Sequence, residues 1–139
     1  MNYGISKTVN LSYDQAVIKV TEELQQEGFG VLTTIDVRET LKKKLNVDFK
    51  RYIILGACNP PFAYQALTAE EEVGLLLPCN VIVAEREEGV LVAAFDPMAM
   101  TKLTDNPTLH KIAGQVKERL ERVIKNIESP GGKPNRRGD

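Results

Sequence analysis

The sequence contains no tryptophan, one histidine (His110) and two cysteines, Cys58 and Cys79, in 139 residues. Two thiols cannot complete a four-thiolate zinc site within one chain, and a single histidine excludes the zinc-hydrolase pattern H-E-x-x-H. There is no C-x-x-C pair. Apolar runs such as Val73–Pro78 and Val90–Phe95 fall far short of the ~20 residues that cross a bilayer. The opening stretch MNYGISKTVNLSYDQ has no signal-type apolar core. These absences predict a cytoplasmic protein with no membrane partner and with reduced cysteines. Charge of one sign is missing as well: 18 basic against 19 acidic side chains leave a net charge of −1. No global field draws in nucleic acid, so no nucleic-acid partner is expected.

What is present is a globular composition, 42% hydrophobic and 27% charged, at the length of one domain. Residues 129–139, SPGGKPNRRGD, combine glycine, proline and charge and predict a flexible C-terminal tail behind a single domain over 1–128. The Arg-Gly-Asp triplet there carries no weight as an adhesion signal.

Tyr3–Val9 alternates as a strand does. Ser12, with Gln15 three residues on, has the form of a capping box, and Gly28 that of a helix-terminating glycine. Between them Tyr13, Ala16, Val17, Val20 and Leu24 repeat at helical spacing. The β-branched run Gly30–Ile35 predicts a second strand. Asp36 can cap a short helix with Val37, Leu41 and Leu45 on one face. A third strand is expected over Phe49–Ala57, then one or two short helices between Asn59 and Leu77. Val81–Arg86 and Val90–Phe95, joined through Glu87-Glu88-Gly89, read as a hairpin. A final helix opens at Asn106-Pro107 and carries a regular stripe from Leu109 to Ile127.

This order predicts an α+β fold: a five-stranded, mainly antiparallel sheet, β-α-β-β-β-β-α with short helical insertions, its first and last helices on one face. The third and fifth strands are apolar on both sides (Tyr52 to Leu55, Val90 to Ala93), so the second face should also be covered. The short helices or a second subunit could cover it, and a homodimer is the favoured expectation.

If the third, fourth and fifth strands are neighbours, then Cys58-Asn59, Cys79-Asn80 and Asp96-Pro97 meet at one sheet edge. Cys58, Asn59, Cys79, Asn80 and Asp96 are therefore the candidate ligand-binding residues. Three chemistries fit: a soft ion such as Cu(I) held by Cys58 and Cys79 with Met98 or Met100; catalysis by Cys58 or Cys79 as a nucleophile or redox pair; or a small ligand held by the asparagines and Asp96. Against them stands ordinary packing, because buried cysteines are common and Asn and Asp beside proline form turns. The final helix could also roof an apolar pocket, although its stripe is full enough to pack solid. No particular cofactor is indicated, and whether the protein is an enzyme stays open. Residues 38–51 hold six basic and two acidic side chains, including Lys42, Lys43 and Lys44, and read as a solvated helix face. His110 reads as a surface or cap residue.

Gly28-Phe-Gly-Val31, Leu55-Gly-Ala-Cys-Asn-Pro60, Leu75-Leu-Leu-Pro-Cys-Asn-Val81 and Asp96-Pro97 together resemble the domain-of-unknown-function family numbered 302, over about residues 1–128. The resemblance implies an α+β fold similar to the TATA-binding-protein class, often as a dimer, and no established activity, substrate or cofactor. Its signature positions are here Cys58, Asn59, Pro60, Cys79, Asn80 and Asp96.

Overall fold

The structure is a computed structural model and describes residues 3–127. The tail expected at 129–139 lies outside the described residues.

Eleven segments follow in chain order. They are β1 (Gly4–Val9), α1 (Tyr13–Gln26), β2 (Gly30–Asp36), α2 (Val37–Leu45), β3 (Tyr52–Cys58), α3 (Pro60–Ala69), a 3-10 helix (Glu71–Leu76), β4 (Cys79–Glu85), β5 (Val90–Phe95), a second 3-10 helix (Pro97–Lys102) and α4 (Pro107–Lys125). The strands form one sheet in the order β1-β5-β4-β3-β2, with every neighbouring pair antiparallel. The expected α+β architecture is therefore present. The third strand starts at Tyr52, not Phe49, and runs through Cys58. The second 3-10 helix carries no helical apolar spacing that would have announced it.

Local chemistry sets the boundaries. Ser12 and Gln15 form a complete capping box, each side chain accepting the other's backbone N–H at 3.1 Å. Gly28 closes the α1 turn at φ +88°, a region open to glycine at little cost. Asp36 accepts Glu39 N–H at 3.0 Å and so starts α2. Asn106 accepts Thr108 N–H at 3.0 Å and starts α4. On β1, Lys7 donates its ammonium to the Lys125 and Ile127 carbonyls, where a cation suits the C-terminal end of α4.

Alternation sorts the side chains. Val9, Val90, Val92, Ala94, Val81, Val83, Leu55 and Ala57 face α1 and α4 and are buried there. Leu120 and Val123 of α4, with Ile127 just beyond its end, close that core without measurable exposure. The register places Ser6, Ala93, Ile82, Ile54 and Ile35 on the opposite face. Ile54, Ile82 and Leu91 stay half-buried outside the core cluster, and Ile35 is 48% exposed.

Candidate functional site

The Glu27–Gly28 turn at the end of α1 is where three helices meet. The Glu27 carbonyl accepts Asn59 Nδ2 at 3.1 Å and Arg119 Nη1 at 3.0 Å. The Glu27 carboxylate takes the Arg122 guanidinium through contacts of 3.0–3.1 Å, which raise the pKa of Arg122. Arg119 also lies over the Phe62 ring, 5.4 Å from its centroid. The start of α3 and the middle of α4 are thereby fixed to one turn, beside the end of β3.

Under this junction lies a half-open cavity of about 250 Å³. Its floor is Ala57, Cys58 and Cys79 at the joined ends of β3 and β4. Phe62, Ala63 and Ala66 of α3 form one wall, and Leu109, Ile112, Ala113 and Val116 of α4 the other. Phe29, Leu77 and Met100 complete a lining that is almost wholly apolar. Leu32 sits at the β-bulge between Val31 and Thr33, reaches the cavity and is 68% exposed.

The structure brings some of the predicted residues together and separates others. Ala57 pairs with Cys79 across the β3–β4 ladder, so Cys58 stands one step off register from it. Both are free thiols and both line the cavity. Burial pushes the Cys79 thiol up to about 11, and the nearby Cys58 adds to the rise. Asn59 also lines the cavity and is buried, 8% exposed.

Asn80 does not join them. It pairs with Gly56 one residue beyond Cys79, is exposed and is outside the cavity lining. Asp96 is committed elsewhere: it accepts Met98 N–H at 2.9 Å to cap the second 3-10 helix and pairs with Lys117 Nζ at 3.0 Å. That pairing raises the pKa of Lys117. Met98 is outside the cavity lining, whereas Met100 is within it. Among the described residues no group of three or more His, Cys, Asp or Glu could hold a metal ion. His110 donates Nε2–H to the Thr104 carbonyl at 2.6 Å, a local link before α4. Lys42, Lys43 and Lys44 are exposed, with Lys42 paired to Asp48 at 3.2 Å.

The residues missed were apolar ones on the two helices: Phe62, Ala66 and Ile112. Their signal was only the breadth of apolar stripe on α3 and α4, which reads equally as filled core. No helix of the described residues is long and apolar enough to cross a membrane.

The chain is similar to known proteins in two respects. A crystal structure of an uncharacterized conserved protein DUF302 from Bacillus stearothermophilus superimposes with a TM-score of 0.83 at 28% identity, covering 90% of this chain and 98% of that one. No curated protein matches. The family model described as "Domain of unknown function DUF302" matches residues 5–127, and the chain accordingly belongs to the DUF302 family.

Proposed function

We propose that the protein binds a small, neutral, largely apolar molecule in the cavity between α3, α4 and the β3–β4 edge. The observation that carries this reading is the cavity itself. Interiors normally pack to the density of organic crystals. A dry apolar hole of ~150 Å³ is already enough to admit benzene. Here about 250 Å³ stays unfilled and has a mouth. Burial holds the proton on Cys79 and so works against that residue as a free thiolate nucleophile.

Calorimetric titration with toluene tests this. Saturable binding is expected in the wild type and its loss in Ala113→Leu or Ala66→Leu, each of which fills the cavity while circular dichroism stays native. Absence of toluene binding, or equal binding by the filled variants, contradicts the reading. Tight stoichiometric Cu(I) binding that needs both thiols would favour the metal role over it.

A second reading, self-association, draws on the open sheet face. Besides Ile54, Ile82, Leu91 and Ile35, the neighbouring segment leaves Leu45 65% and Phe49 41% exposed. Five strands of about six residues present a face of about 20 by 20 Å, and the α2 segment widens it toward the ~800 Å² per partner of a stable dimer. Charge favours a second copy as the occupant. Residues 38–51 are net +4 and residues 85–88 net −2, and Tyr52 opposite Ala84 puts both at the same end of the sheet. A two-fold axis along β4 exchanges β3 with β5 and lays the basic segment of each copy toward the acidic turn of the other. Sedimentation velocity should find a dimer in the wild type, weakened by salt, and a folded monomer in Ile82→Glu. A monomeric wild type at high micromolar concentration overturns it.

A further inference from the structure

Within the reading of the cavity as a small-molecule site, we infer that its occupant carries one hydrogen-bond donor, a hydroxyl or N–H on an apolar body, received by Asn59 Oδ1. The orientation of the Asn59 amide follows from its neighbour. The Glu27 carbonyl can only accept, so the amide nitrogen faces it at 3.1 Å and Oδ1 must face the other way.

That oxygen would ordinarily be spent at the helix start. An N-cap asparagine accepts the N–H of the second or third helical residue. Asn106 does so at the head of α4, where Pro107 is followed by Thr108 and the Thr108 N–H lies 3.0 Å from Asn106 Oδ1. At the head of α3 the corresponding residues are Pro60 and Pro61. The second proline removes the very N–H that Asn106 uses. Asn59 therefore caps α3 with no side-chain hydrogen bond. Among the described residues no donor meets Asn59 Oδ1, although Asn59 is only 8% exposed and lines the cavity.

A buried acceptor without a donor is unfavourable, and a ligand that supplies the donor removes that penalty. The surroundings also set the ligand's charge. Arg119 is occupied by the Glu27 carbonyl and the Phe62 ring, and Lys117 by Asp96. Among the described residues no cation lines the cavity to receive a carboxylate, and Asn59 Oδ1 would repel one. The site thus selects neutral donors of one or two rings, such as phenols and indoles, over hydrocarbons and aromatic acids.

The test compares indole with indene, a hydrocarbon of the same shape without the N–H, by calorimetry on the full chain. In the wild type indole is expected to bind about three- to tenfold tighter. In Asn59→Leu the preference should vanish or reverse, because indene is the more hydrophobic of the two. The Asn59 side-chain amide resonances should shift further with indole than with indene, by the hydrogen bond that indene cannot form, a readout that holds even if the variant does not fold. Indene binding as tightly as indole in the wild type overturns the inference and leaves the cavity reading standing. Failure of both compounds to bind overturns the two together.

Discussion

Asn59 and Glu27, 32 positions apart, are joined by one hydrogen bond from the Asn59 amide to the Glu27 carbonyl. Through it the start of α3 is held against the end of α1, beside the cavity that lies between α3 and α4. Side chains on both helices then line a hole that neither helix fills. Asn59 therefore has a structural partner in Glu27 and also lines the cavity.

The buried thiol makes the protein sensitive to alkali. Cys79 titrates in the folded state at about 11, against ~8.5 in an unfolded chain. Between those values only the unfolded state gives up the proton, so stability falls as pH rises. Complete passage through the window costs about 3 kcal/mol. Urea unfolding at pH 8 and pH 10.5 should show a larger loss in the wild type than in Cys79→Ala, and equal losses would contradict the burial of this thiol.

Asp96 is engaged by its own helix cap and by Lys117. Asp96→Ala removes the acceptor of the Met98 N–H and should cost about 1 kcal/mol in denaturant unfolding. Asp96→Asn keeps that acceptor and should recover most of the loss. Toluene affinity should be the same in both variants as in the wild type. An affinity change in Asp96→Asn would return Asp96 to the site.

Gly56 sits where β2, β3 and the Leu77–Pro78 segment are close together. A Cβ there would collide with Thr33 Oγ1 and stand 2.9 Å from Pro78 Cγ. Gly56→Ala should destabilise by about 1–3 kcal/mol through overpacking. Thr33→Ala relieves half of the clash, so the double variant should be more stable than the sum of the single changes allows. Strict additivity would contradict the contact.

Most of the scaffold was legible because its signals are local. Ser12–Gln15, Gly28, Asp36 and Asn106 each act within a few residues, and the hairpin after Glu85 and the α4 stripe have a fixed period. The convergence of Cys58 and Cys79 also followed from strand order alone. Asn80 was separable from Cys79 by alternation along β4, a rule the end of β3 does not keep, since Ala57 and its successor Cys58 both line the cavity. Asp96 was not, because its partner Lys117 arrives from a helix about twenty positions later. The cavity was the least legible feature. Leu109, Ile112 and Val116 continue the same stripe as Leu120 and Val123, which pack solid, and only the placement of α3 decides where the filling stops.

Anomalous diffraction from crystals soaked in 4-iodophenol is the most direct measurement of the central claim. The account predicts an iodine peak inside the cavity among Phe62, Met100, Cys79 and Ile112, with the phenol oxygen within hydrogen-bonding distance of Asn59. No peak there, or iodine only on the open sheet face by Ile82 and Leu91, would contradict it.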